Sequence, residues 1–443
     1  MTLAQVVIFV SFLSFIVVGF LVKKSNMKSY SDFTMSKNKL NWFTIAAGIS
    51  MTFAGGAAIL STASVGHIFK WYSLIDPISL ILGILIVLLL YGKYKNNNGT
   101  TISDLLACNH RGLALLIGIV TSFAFVLIVA ANFVALSKLI SPYFPSINPL
   151  WITFIASTLV FSYVFLGGFK SVTRTDILQY VLINVLLVLP VLYFVLQNAG
   201  HLSAETVTHE FVAMPLDYMV LFAIPMVFTP LSQDINLRIK SAKSKAHGMV
   251  GLFVGGLFYA TIAVCAAWVG VYLGNMNIVL PDPEQSIPFF FQMYFPTFGV
   301  LAITAVLAAI VSTLDSYVLN SITAISNDII KPCCKSKSVS KTIKMAALVT
   351  YVVAMMIALF FNKILVLALT SLLIYISVLT PIALGRLLKV SEKWLFVASL
   401  INVIAIIMME TFSVVIGPKA IVYPLFGCAI VLLAKGISRL KCK

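Results

Sequence analysis

Thirteen apolar runs, most of them about 20 residues or longer, follow one another along this chain of 443 residues. They lie at 3–22, 41–66, 71–92, 112–140, 150–167, 175–198, 217–236, 247–274, 297–330, 341–361, 364–387, 393–414 and 418–434. A helix of about 20 residues crosses the hydrocarbon core of a bilayer. In lipid every backbone N–H and C=O needs a partner, and a helix satisfies both within one segment. The expected fold class is therefore an all-α polytopic membrane protein with about 13 transmembrane helices. Composition excludes a soluble globular chain, with 60% hydrophobic and 10% charged residues and a mean hydropathy of +1.05. The first run is full length and no small-residue cleavage pattern follows it, so it is expected to be retained.

The net charge of +16 raises the question of nucleic acid, but its placement argues against that partner. Of the 30 Lys and Arg, 26 fall in alternate loops: 23–39, 93–111, 170–174, 238–245, 331–344, 386–393 and 435–443. The other side holds only Lys70, Lys138, Lys363 and Lys419. The positive-inside rule then puts the N-terminus outside and the C-terminus in the cytoplasm, in an inner or plasma membrane. The basic loops also meet anionic lipid of the bilayer. Of the six cysteines, Cys108, Cys333, Cys334 and Cys442 lie in inside loops or at the inner end, and Cys265 and Cys428 lie in spans. None falls in an outside loop, so no disulfide framework is expected.

The ninth run carries a polar stripe. On a helix Ala309, Ser312, Thr313, Ser316, Asn320, Thr323 and Asn327 recur at steps of three or four. Bare hydroxyls and amides in hydrocarbon cost several kcal/mol, so the stripe must face other helices or a wet cavity. Interhelical hydrogen bonding is one use of such a stripe. Asp315, one step off it, points to an ion or substrate path. The run is long for a membrane helix and is expected to tilt or emerge.

Two spans are interrupted. The second carries Gly55-Gly56 at mid-membrane, which weakens the helix and lets another backbone approach; a small-residue packing face is the other reading. The seventh carries Pro225 and Pro230 beside Thr229, Ser232, Gln233 and Asp234, and each proline removes a backbone donor. The two breaks fall at matching depths, and an odd number of spans separates their starts. Spans 2–6 (41–198) and 7–11 (217–387) can therefore form inverted repeats, and they are expected to do so within one transmembrane domain, 1–443, with 1–40 and 388–443 peripheral. Matched interruptions in two halves mark the binding site of a transporter.

Other polar residues have plainer readings. Asp76 and Pro77 open the third span, as a first-turn pair or as a carboxylate at the outer mouth. Asp176 follows a short inside turn and suits the first turn of a helix, where the dipole favours a carboxylate. Arg238 is an inside-loop cation, and Asp328 a solvated or ion-paired residue at an inner end. Glu205 and Glu210 lie in an outer loop, and Pro288 and Pro296 bracket an interfacial segment. No constellation of residues suggests an enzyme.

Three stretches resemble one family. Gly167-Gly-Phe-Lys-Ser-Val, continuing to Thr175-Asp-Ile-Leu-Gln179, is similar to a signature of the sodium:solute symporters. Ala309 to Ser321 resembles their second signature, and Ser232 to Lys243 their segment after the broken seventh span. The resemblance covers roughly residues 1–390. It implies a five-helix inverted-repeat core of the leucine-transporter type. It also implies a sodium site made by backbone carbonyls near Met51 and Ala54, the carbonyl of Ala309 and the hydroxyls of Ser312 and Thr313. Substrate would lie near Gly56, Ala57, Ala58, Asp76, Asn132, Ser232 and Gln233. Some members hold a second cation through the aspartate matching Asp176 and hydroxyls on span 9. Ser316 fits that set, but Asp315 stands where those members have serine, which leaves sodium, a proton or no cation there.

The expected function is a secondary active symporter, in which inward movement of the coupling ion Na+ drives uptake of a small polar organic solute by alternating access. The protein is expected to work as a monomer. The alternatives are a proton-coupled carrier of the same fold, through Asp176 or Asp315, and a solute-sensing membrane module without transport.

Overall fold

A computed structural model describes residues 2–20, 33–35, 39–97, 99–107, 110–198, 213–296, 299–334, 338–361, 363–411 and 422–440. The stretch around Glu205 and Glu210, and Cys108 and Cys442, lie outside the described residues.

The described elements are helical, and the apolar runs account for them. In chain order the principal helices are α1 (Leu3–Phe20), α2 (Trp42–Phe53), α3 (Gly56–Phe69), α4 (Ile75–Leu89), α5 (Arg111–Ile140) and α6 (Pro149–Ile183). There follow α7 (Leu189–Gln197), α8 (Leu216–Phe222), α9 (Ile224–Phe228), α10 (Gln233–Ser241), α11 (Lys245–Asn275) and α12 (Ser286–Tyr294). The chain continues through α13 (Gly299–Ala324), α14 (Val339–Phe360), α15 (Ile364–Leu387), α16 (Glu392–Thr411) and α17 (Val422–Leu440). Local chemistry starts several of them. The side chain of Asn41 accepts from the N–H of Thr44 at 2.8 Å, and His110 Nδ1 accepts from Leu113 at 3.0 Å. These caps satisfy donors that a helix start leaves bare.

Among the described residues nine helices are long and apolar enough to cross a membrane, and four shorter apolar helices accompany them, at Leu3–Val18, Trp42–Phe53, Pro149–Phe165 and Val422–Gly436. One boundary differs from the run-by-run reading. The turn between the second and third runs is a short 3-10 helix, Lys70–Leu74. The turn expected near 167 is present, because Gly168 takes φ 57° and ψ −152° and two helices, Pro149–Phe165 and Gly167–Gln197, meet there within α6. That conformation is open to glycine and closed to side chains. Large apolar residues such as Leu89, Leu196 and Phe360 project outward, where a bilayer receives them.

At the centre stands α13, whose residues from Ala302 to Ala324 are all buried. It packs against α5, α6 and both halves of the second run. The polar stripe therefore faces protein: Ser312, Ser316 and Thr323 are fully buried. Helix α11 lies against α2 and α3 along their length. The glycines of that contact carry it, since a Cβ at Gly270 would lie 1.9 Å from the carbonyl oxygen of Ala63.

Candidate functional site

The second run is broken at Ala54 and Gly55. Helix α2 ends with Ala54 at φ −76°, ψ 43°, Gly55 is extended at φ −65°, ψ 158°, and α3 restarts at Gly56. Both readings of Gly55-Gly56 hold together. The backbone unwinds there, and it also comes close to α13. A Cβ at Gly55 would stand 2.4 Å from Thr313 Oγ1, and one at Gly56 would stand 2.1 Å from Ile310 Cγ1. Thr313 Oγ1 in turn lies 3.4 Å from the carbonyl oxygens of both Met51 and Thr52.

The seventh run is broken more widely. Helix α8 gives way at Ala223 to α9, then to a 3-10 turn at Thr229–Leu231, and Ser232 is extended before α10. Here the freed carbonyls are already used. That of Pro230 accepts from the Tyr94 hydroxyl, and that of Leu231 accepts from Tyr375 at 2.7 Å.

Between the two breaks lies a cavity of about 150 Å³. Of the substrate positions read from the sequence, Ala57, Ala58, Asp76 and Asn132 line it, as does Thr313. Gly56 is packed against Ile310. Ser232 and Gln233 are absent from the lining; both are buried, and Gln233 donates to the carbonyl of Asn320 at 3.0 Å. The second broken span reaches the cavity instead through its apolar half, Leu221 to Phe228. The aromatic walls Phe53, Tyr259 and Tyr317 were not legible as site residues, because an aromatic in an apolar run reads as ordinary core.

Of the sodium set, Met51, Ala54, Ala309 and Ser312 are fully buried, and Thr313 is nearly so. Met51 and Thr313 come together at the break. Ser312 turns its hydroxyl to Asp176 Oδ1, at 2.8 Å. The second-cation set is split between separate partners. Asp315 accepts from the Tyr163 hydroxyl at 2.5 Å and from Thr175 at 3.0 Å. Ser316 shares a hydrogen bond with Thr52 at 3.1 Å.

Asp176 corrects its sequence reading. It is no first-turn residue, because the helix that follows the turn at Gly168 has already run about two turns when it reaches Asp176. Asp176 is fully buried, and it meets a cation that sequence reasoning had placed in a loop. Arg238, also fully buried, donates from Nη2 to Asp176 Oδ2 at 3.0 Å and from Nε to Asp234 Oδ2 at 2.6 Å. Its Nη2 also reaches Thr52 Oγ1 at 3.1 Å. Gly48 leaves the room, since a Cβ there would lie 1.7 Å from Arg238 Nη1. The spacing of Asp234 and Arg238, four apart on a helix, was the available signal. Asp328 is likewise buried, at 4% exposure, and accepts from Thr101 at 2.8 Å and Asn327 at 2.8 Å.

Two interrupted helices, set against a continuous polar-striped helix and enclosing a small cavity, define the class of broken-helix secondary transporters. Residues 33–237 match the model of the sodium:solute symporter family. The family resemblance read from the motifs is thus borne out over those residues, a little under half of the chain. The stretch Ala309 to Ser321 lies beyond the matched residues. No curated protein matches by sequence. Among solved structures, a Na+-coupled sialic acid symporter in a substrate-bound outward-open state is 17% identical, with a TM-score of 0.74, covering 99% of this chain and 98% of that one. Mhp1, a nucleobase-cation-symport-1 family transporter, is 15% identical with a TM-score of 0.59, covering 92% and 94%. A manganese transporter of Eremococcus coleocola is 13% identical with a TM-score of 0.52, covering 89% and 92%. These likenesses bear out the fold class, an all-α membrane protein with a five-helix inverted-repeat core.

Proposed function

We propose that this chain couples inward sodium movement to uptake of a small polar organic solute by alternating access. The repeats would be 41–198 and 217–387, the N-terminus outside and the C-terminus cytoplasmic, in the plasma membrane, with one chain as the working unit. The observation that carries the reading is Thr313 against the first break. Sodium is a hard cation that takes oxygen ligands. A hydroxyl on α13 facing loosely held carbonyls across an unwound backbone is the chemistry it needs. The second break offers no equivalent, since Tyr94 and Tyr375 already occupy its carbonyls.

In this reading the ligands are the carbonyls of Met51, Ala54 and Ala309 with the hydroxyls of Ser312 and Thr313. They come from two helices, so the ion would join the first broken span to α13. A shift of either helix would separate the ligands and release the ion. Coupling requires that sodium prefer one state over the other. Sodium is favoured over a proton by one arrangement: Asp176 is engaged by a guanidinium and Asp315 by two hydroxyls.

The test needs no known solute. A ligand that binds only the folded state raises the melting temperature once its concentration passes its Kd. The purified protein should melt higher in sodium chloride than in choline chloride of equal ionic strength, and Thr313→Ala should lose that rise. A rise that persists in Thr313→Ala would sink the site assignment.

A further inference from the structure

The cavity has an uneven chemistry. Phe53 stands edge-on to both Phe228 and Tyr259, with ring centroids 6.4 Å apart in each pair. These rings form one aromatic wall. Of the described residues that line the cavity, Asp76 brings the one carboxylate, accepting a hydrogen bond from the Tyr259 hydroxyl. Among the described residues that line the cavity there is no Lys, Arg or His. The buried cation nearby, Arg238, is committed to Asp176 and Asp234.

The second polar group is Asn132, 2% exposed. Its Nδ2 donates to the carbonyl of Ile128 at 2.8 Å, which fixes the orientation of the amide. Its Oδ1 is buried without a hydrogen-bond partner, and Asn132 is one of the residues that line the cavity. A buried acceptor left bare costs free energy. Ser61 and Thr313 spend their protons on backbone carbonyls. Apart from the Tyr317 hydroxyl and the backbone N–H groups of Ala57 and Ala58 in the first turn of α3, the cavity presents acceptors and aromatic faces, and a positive charge must come with the solute.

We infer that the solute carries a protonated amine, held by Asp76 beside the Phe53–Tyr259 wall, with a donor of its amine or a hydroxyl on Asn132 Oδ1. This rests on the cavity being the solute site of a sodium symporter. An anionic solute lacking the amine would meet Asp76 with no side-chain cation to offset the repulsion.

The experiment compares matched compounds in sodium chloride by melting temperature. Ethanolamine, aminobutanol and aminobutyrate are set against ethylene glycol, butanediol and hydroxybutyrate. At least one amine should raise the melting temperature while its amine-free counterpart does not. Asp76→Asn should weaken that amine by roughly 30-fold or more, the loss expected when one partner of a buried charge pair is removed. The sodium-dependent rise without solute should persist in Asp76→Asn, which also reports that the variant folds. Asn132→Leu should weaken the same amine while keeping the sodium effect. The inference is overturned if diols or hydroxy acids act as well as amines, if no amine acts in sodium, or if Asp76→Asn leaves amine binding unchanged. Loss of the sodium effect in the native chain would instead overturn the symporter reading beneath it.

Discussion

Thr313 and Gly55 are so close that a side chain at Gly55 would begin 2.4 Å from the threonine hydroxyl oxygen. The unwound backbone and the polar stripe thus meet at a point that only glycine permits. Gly55→Ala must push α3 from α13 or turn Thr313 away from the break. Overpacking of this kind costs about 1–3 kcal/mol. We expect a lower melting temperature and loss of sodium-dependent stabilisation. Gly92→Ala, where nothing lies within 4 Å, is the control and should leave both unchanged.

Arg238 and Asp176 pair with both side chains fully buried. Removing one member of such a pair costs about 3–5 kcal/mol, because the other charge is stranded. Arg238→Met strands both Asp176 and Asp234 and should sharply reduce the yield of folded protein in detergent. Arg238→Met with Asp176→Asn should recover part of that loss. The coupling between the two sites, read from melting temperatures of the four variants, should be large. Additive effects would show that the pair does not act as a unit.

Arg238→Lys should recover little. A lysine ammonium cannot reproduce the fork that reaches Asp176, Asp234 and Thr52 together. Folded yield close to that of the native chain would contradict the geometry.

Gly168 turns the chain between two spans at φ 57°, with the carbonyl of Phe33 2.8 Å from the position of a Cβ. Gly168→Ala should cost about 1–3 kcal/mol from backbone strain, before the clash is added. Gly436→Ala, in open space near the end of α17, should be nearly neutral. Melting temperatures of the two variants decide the matter.

Lys95 donates to the carbonyls of Ile239, Lys240 and Ala242, at 3.3–3.4 Å, where α10 ends. Lys243 N–H bonds to the carbonyl of Leu40, so the same corner also ties α10 to the start of α2. A cation at a helix C-terminus stabilises by about 0.3–1 kcal/mol. Lys95→Met should loosen this end of both broken spans. Cysteine placed at position 242 should then react faster with a small thiol reagent than in the native background, and an equal rate would refute the role of Lys95.

Much of this architecture was readable because it is written in local terms. Hydrocarbon demands runs of about 20 apolar residues, so the spans show in any window of that length. Ser312, Thr313 and Ser316 recur at helical spacing, so their common face was visible before any partner was known. Gly55 and Pro230 mark the breaks because each alters the backbone at its own position. Arg238 was misplaced for the opposite reason. A basic residue beside Lys240 and Lys243 looks like loop charge, and only α10 folding back under α2 and α6 buries it. Asp176 and Asp328 failed in the same way.

The sequence by itself therefore determined the class of fold, the helices that break and the residues that share a face, since these follow from backbone chemistry and periodicity. Only the tertiary structure decided which polar groups pair and which are left to line the cavity. Ser312 meets Asp176, Ser316 meets Thr52 and Tyr259 meets Asp76 across more than a hundred residues of chain. No local pattern specifies such pairs, because burying a polar group sets its need for a partner but does not name one.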